Sequence, residues 1–100
     1  MHMNIIDTAH ILQHVDHTLL QQTATWLEIQ QLCDEGMAAQ TASVCIPPAY
    51  VRDAASYAAG RLPICTVIGF PNGYVTSYIK AKEAEEALAN GASELDMVIN

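Results

Sequence analysis

Alternation between short β-rich bursts and helical stretches constrains this chain more than any other feature. Four apolar bursts, at residues 15–20, 42–46, 64–70 and 95–100, are separated by three stretches of helical periodicity. The first stretch opens on Thr25-Trp26-Leu27-Glu28. This is a capping box, in which the threonine hydroxyl and the glutamate carboxylate satisfy N–H groups left free at a helix start. Trp26, Ile29, Leu32, Cys33 and Met37 then recur at helical spacing and mark a buried stripe. In the second stretch Pro48 suits the first turn of a helix. Val51, Ala54, Ala55 and Ala58 form its inner face, and Gly60 closes it. The third helix is expected from about residue 76 to residue 90, with Ile79, Ala84, Ala87 and Leu88 inward and Gly91 as its stop. A short helix around residues 7–13 precedes these elements.

The order is β-α-β-α-β-α-β. Strands separated by helices of roughly ten to fifteen residues argue for parallel βαβ units. Right-handed crossovers with sequential strand order place every helix on one side of the sheet, which is how a (β/α) barrel begins. A full barrel takes eight such units and roughly 250 residues. The 100 residues here hold four strands and three crossover helices. The expected fold is therefore α/β: one domain over residues 1–100, a parallel (β/α) half-barrel equivalent to the first four strands of a TIM-type (β/α)8 barrel. Met1-His2-Met3 reads as a cloning scar before a native start at Met3.

Side chains alternate faces along a strand. Asp16 and Thr18 share a face in the first burst, Ser43 and Cys45 in the second, Asp96 and Asn100 in the fourth. The opposite faces carry Leu19, then Val44 and Ile46, then Leu95, Met97 and Ile99. One face thus collects small and polar groups and the other large apolar ones, as a catalytic barrel lumen requires. Asp96 lies inside the apolar run Leu95-Asp96-Met97-Val98-Ile99. A buried carboxylate there costs several kcal/mol unless it is paired or has a task. Polar residues satisfied within an ordinary α/β core are the better reading of any single strand. Agreement between three strands favours a site.

Charge and cysteine usage narrow the chemistry. The net charge of -7 argues against nucleic acid or an anionic membrane as partner, since both reward clustered cations. It also leaves few cations for an anionic substrate. Cys33, Cys45 and Cys65 are too widely spaced for a CxxC motif, and an odd number in apolar surroundings fits free thiols in a reducing cytoplasm. No signal peptide is expected, and no run approaches the ~20 apolar residues of a membrane span. His2, His10 and His14 have no partners at metal-ligand spacing, so no metal is expected. His17 points away from Asp16 and reads as a residue hydrogen-bonded under a helix. Lys80 and Lys82 read as solvated helix charges paired with Glu83, Glu85 or Glu86. Gly69 and Gly73 read as a turn, Glu94 as a solvated residue ahead of the last strand, and the four tyrosines as packing or surface groups.

Four segments fall in a telling order: Asp16-His17-Thr18-Leu19-Leu20, Ser43-Val44-Cys45-Ile46-Pro47-Pro48-Ala49-Tyr50-Val51, Thr66-Val67-Ile68-Gly69-Phe70-Pro71-Asn72-Gly73 and Glu94-Leu95-Asp96-Met97-Val98-Ile99-Asn100. Together with the spacing of Lys80 and Glu83 before Gly91-Ala92, they closely resemble the N-terminal part of the deoxyribose-phosphate aldolase family. One departure is Pro47, where the family commonly has another residue, often Asn, before the proline. The resemblance implies a class I aldolase that cleaves 2-deoxyribose 5-phosphate to glyceraldehyde 3-phosphate and acetaldehyde, without metal or other cofactor. A lysine amine forms a Schiff base that stabilises the carbanion. By the same resemblance Asp96 is the proton-relay carboxylate, Asp16 and Thr18 line the substrate site, and Cys45 is a lumen thiol open to reactive aldehydes. The family's Schiff-base lysine, its partner lysine and its phosphate-binding loops match no residue of this sequence, so the chain alone is expected to be inactive.

A second expectation is structural. Four parallel strands leave the first and fourth as unpaired edges, with Leu95, Met97 and Ile99 lacking a covering helix. A homo-oligomer follows, with a two-fold dimer favoured. A doubly wound nucleotide-binding domain ranks low, because residues 21–25 contain no glycine for a GxGxxG turn.

Overall fold

The computed structural model describes residues 7–100; the expected cloning scar and His2 lie outside the described residues. The elements are α1 (Thr8–Leu12), β1 (Asp16–Thr18), α2 (Trp26–Ala39), β2 (Ser43–Ile46), a 3-10 turn (Pro48–Tyr50), α3 (Val51–Ala58), β3 (Ile64–Ile68), α4 (Ser77–Ala89) and β4 (Glu94–Met97). The strands form one parallel sheet in the order β1-β2-β3-β4. The parallel α/β arrangement with sequential strands is the one the alternation implies. Among the described residues no helix is long and apolar enough to cross a membrane.

Local sequence accounts for most of the boundaries. Thr25 caps α2 as expected: its Oγ1 accepts from the Glu28 N–H at 3.3 Å, and Glu28 Oε1 accepts from the Thr25 N–H at 2.8 Å. Thr76 caps α4 by accepting from the Ile79 N–H at 3.4 Å. Pro48 sits in the 3-10 turn rather than in α3 itself, which starts at Val51. The end of α3 differs from expectation. Ala59, not Gly60, takes the left-handed cap conformation at φ 51°, and its N–H donates to Ala55 O. Gly60 follows it, also with positive φ.

The core lies between the sheet and the helices. Ile29, Leu32 and Cys33 of α2, Val51, Ala54 and Ala58 of α3, and Ala87 of α4 pack on Val44, Ile46, Ile64 and Ile68. Removing each large aliphatic side chain from water contributes about 1.5–3 kcal/mol. Trp26 and Met37 complete the expected α2 stripe as half-buried residues against this cluster.

The inner face of α4 is rotated from the expected one. Ile79 is 49% exposed and Leu88 54% exposed, while Lys80 and Ala87 are buried and Glu83 and Ala84 half-buried. Residues 80, 84 and 87 form one helical stripe, which leaves Ile79 and Leu88 on its two flanks. Small alanines inward bring the helix close to the sheet, and the larger residues are left to the sides.

Candidate active site

Strand register decides which side chains meet. Asp16 pairs with Ser43 and Thr18 with Cys45. Cys45 pairs with Cys65. Cys65 pairs with Glu94 and Val67 with Asp96. Partners in register point to the same side of a parallel sheet. Asp16, Thr18, Ser43, Cys45, Cys65, Val67, Glu94 and Asp96 therefore share the face away from the helices. The expected site residues Asp16, Thr18, Cys45 and Asp96 are all on it. Cys65, Val67 and Glu94 join them unannounced. β3 carries Cys65 and Val67 on this side and Ile64, Thr66 and Ile68 on the other, all buried, so alternation alone did not mark an inner side there.

The middle of this face is closed and its ends are open. Cys45, Cys65 and Val67 form a small buried cluster against Leu20. Asp16, Thr18, Glu94 and Asp96 are exposed. Asp96 is exposed on this face, the side that strand alternation gives it, and Met97 on the opposite side of β4 is 53% exposed. Leu95, next to Asp96 in the chain, packs on the helix-side core, and Val98 is half-buried.

Hydrogen bonds fix the β1 end. The Ser43 hydroxyl, fully buried, donates to Asp16 Oδ1 at 2.6 Å. The Thr18 hydroxyl donates to the Asp16 carbonyl at 2.7 Å. Both thiols of the middle layer are held protonated. Burial pushes Cys45 above the ordinary thiol range, although its contact with the Cys65 thiol works the other way, and nearby Asp96 and Asp16 add to the rise. Cys65 is pushed up further, by burial and then by its hydrogen bond to Cys45.

The loops at the C-terminal strand ends frame a cleft of about 350 Å³ lined by Leu20, Gln21, Pro47, Tyr50, Phe70 and Pro71. In (β/α) barrels this is the end where ligands bind. Glu83 reaches over β3 to accept from the Gly69 N–H at 2.7 Å. The Gly73 N–H donates to Gly69 O at 2.7 Å, so this segment is a turn, as expected. Lys80 corrects an expectation. It is buried rather than solvated, its stem lies along Gly69, and it forms no ion pair among the described residues. Lys82 does behave as a solvated charge, 3.6 Å from Glu85. His17 Nε2 lies 2.9 Å from Glu35 Oε1 of α2, under a helix and away from Asp16. Tyr50 and Tyr57 pack on Trp26, while Tyr74 and Tyr78 are exposed.

Residues 10–100 match the model of the DeoC/LacD family aldolases. The chain belongs to that family. It is 59% identical over 95 residues to the deoxyribose-phosphate aldolase of Streptococcus pyogenes serotype M4, covering 95% of this chain and 43% of the relative. The chain thus spans less than half the length of this curated aldolase. Solved structures agree. The deoxyribose phosphate aldolase of Aeropyrum pernix, described as a tetramer, superposes with a TM-score of 0.88 at 30% identity, over 93% of this chain and 40% of that one. A candidate deoxyribose-phosphate aldolase from Coccidioides immitis gives 0.90 at 42% identity, over 95% of this chain and 38% of that one. The resemblance carried by the four sequence segments holds, and the family is one of carbon–carbon lyases.

Proposed function

We propose that this chain is the N-terminal portion of a deoxyribose-phosphate aldolase, acting on 2-deoxyribose 5-phosphate through a lysine Schiff base. The observation that carries the reading is the strand register. It gathers Asp16, Thr18, Cys45 and Asp96 on one face, at positions where the motifs resemble the aldolase site. In the retro-aldol direction the lysine amine condenses with the sugar carbonyl and water leaves. A base takes the proton of the hydroxyl, the C–C bond breaks, and its electron pair flows into the iminium. Asp96, working through a water molecule, moves the proton to and from the reacting carbons. Asp16, held by Ser43, and Thr18 line the β1 side of the site. Three free buried cysteines support a reducing, cytoplasmic location.

The nucleophile is assigned outside these residues. The lysines here are Lys80 and Lys82, both on α4 and on the helix side of the sheet. The test is borohydride trapping with 2-deoxyribose 5-phosphate. The purified 100-residue chain should give neither turnover nor a reduced adduct, whereas a chain extended to the length of its relatives gives both. An adduct on Lys80 or Lys82 in either sample would refute the assignment.

A second reading concerns assembly. Met97 and Ile99 are 53% and 79% exposed, Ile79 and Leu88 of α4 are also exposed, and β1 and β4 are both sheet edges. Such edges and apolar groups favour self-association of the isolated chain, most simply as a dimer. Light scattering on a sizing column should show a discrete dimer. A monodisperse monomer at micromolar concentration contradicts it.

A further inference from the structure

We propose that Cys45, Cys65 and Asp96 form a binding site for a thiophilic divalent cation of the zinc or cadmium type. The two thiols are register partners on adjacent strands, so the sheet holds their side chains next to each other on one face. Asp96 is the register partner of Val67, two residues beyond Cys65 on the same side of β3. The two sulfurs and a carboxylate oxygen all lie within 4.8 Å of one another. Ligand atoms bound to one zinc ion at about 2.0–2.3 Å sit within this separation, so a cation between them needs only small side-chain rotations.

The donor set selects the ion. Two sulfurs and one oxygen suit a soft or borderline d10 cation, whereas magnesium and calcium demand oxygen cages. The fourth position falls to water on the open side, where Asp96 is exposed and gives access. On binding, each thiol yields its proton to solvent and two S–metal bonds replace two S–H bonds. Asp16 and Glu94 stand on the same face and add negative potential that attracts the ion. A competing triple, Asp16, Cys65 and Glu94, is also within reach. It is the poorer site, because it has one sulfur and Asp16 already accepts from Ser43. Cys33 lies on the other side of the sheet in the helix-packed core and takes no part.

The aldolase chemistry does not run through this ion. Where the proposed role of Asp96 in proton transfer holds, an occupied site removes that carboxylate and inhibits the enzyme. Binding itself does not rest on that reading and is measured without turnover.

The experiment is a Cd²⁺ titration of the reduced protein, followed by the ultraviolet sulfur-to-cadmium charge-transfer band. One Cd²⁺ per chain is expected, with the band unchanged in Cys33→Ser and undiminished by excess Mg²⁺. Cys45→Ser and Cys65→Ser should each weaken binding by at least about 100-fold, and Asp96→Asn by at least about tenfold, since loss of even an outer-shell partner of a metal ligand typically costs roughly 10–100-fold. A band that survives in both cysteine variants overturns the proposal, as does its absence in the unaltered protein. Zinc-edge X-ray absorption of the unaltered protein needs no variant to fold. It should show two sulfurs at about 2.3 Å and oxygen at about 2.0–2.2 Å. A shell of nitrogen or oxygen alone contradicts the site.

Discussion

Replacing Gly73 by alanine should destabilise the protein far more than the same change at Gly60, although both glycines have similar positive φ, 74° and 81°. An L-residue in this left-handed region costs roughly 1–2 kcal/mol. That term applies at both positions. Around Gly60 an added Cβ meets nothing within 4 Å, so the conformational cost is the whole effect. At Gly73 the Cβ would run into the carbonyl of Ile99 and approach Val98 Cγ1 to 2.7 Å. One of these obstacles is backbone, so the Gly69–Gly73 turn and the segment after β4 must move apart. Overpacking of this kind adds about 1–3 kcal/mol. The totals are therefore about 1–2 kcal/mol for Gly60→Ala and about 2–5 kcal/mol for Gly73→Ala. Guanidinium unfolding of the two variants beside the parent reads the difference as a shift in midpoint at constant slope. Equal shifts would refute the argument that the turn after β3 is braced against the end of β4.

Other perturbations probe separate links. Lys80→Met should keep stability within about 1 kcal/mol, because the buried stem is retained, whereas Lys80→Ala leaves space beside Gly69 and costs about 1–3 kcal/mol by denaturant titration; equal losses would show that the ammonium matters rather than the stem. Thr25→Ala removes one half of the α2 capping box and should cost about 1 kcal/mol by thermal unfolding. The thiols give a pH signature. All three have folded pKa values raised above the ordinary 9.0, so the folded state keeps protons that the unfolded chain releases. Stability is then fully present below pH 9 and declines above it, by up to about 1.4 kcal/mol per pH unit for each thiol, until the folded-state value is reached. Cys65→Ala should flatten this alkaline decline in urea titrations run across that range; an unchanged slope would contradict the assignment.

The strands and helices were legible because each depends on local pattern. The capping box at Thr25 and the breaks at Pro47-Pro48 and Pro71-Asn72-Gly73 mark boundaries in the sequence itself. What escaped depends on neighbours distant in the chain. The orientation of α4 departs from the hydrophobic pattern: Ile79 and Leu88 are more hydrophobic than Lys80, yet close helix–sheet approach favours the stripe through Ala84 and Ala87. Lys80 is buried because its flexible stem covers Gly69, a contact no charge pattern announces. Asp96 lies in an apolar run, yet strand alternation separates it from Leu95 and Met97, and the register keeps that division. Cys65 and Glu94 joined the site only through strand register, which fixes who faces whom across the sheet.

Asp96→Asn, in the chain extended to the length of its aldolase relatives, tests the central claim most directly. The account predicts that retro-aldol turnover of 2-deoxyribose 5-phosphate falls by about 10²–10⁴-fold, the usual contribution of a positioned acid–base group, while borohydride still traps the Schiff base. Turnover within about twofold of the parent would contradict Asp96 as the proton relay, and with it the reading of this sheet face as the reacting side of the site.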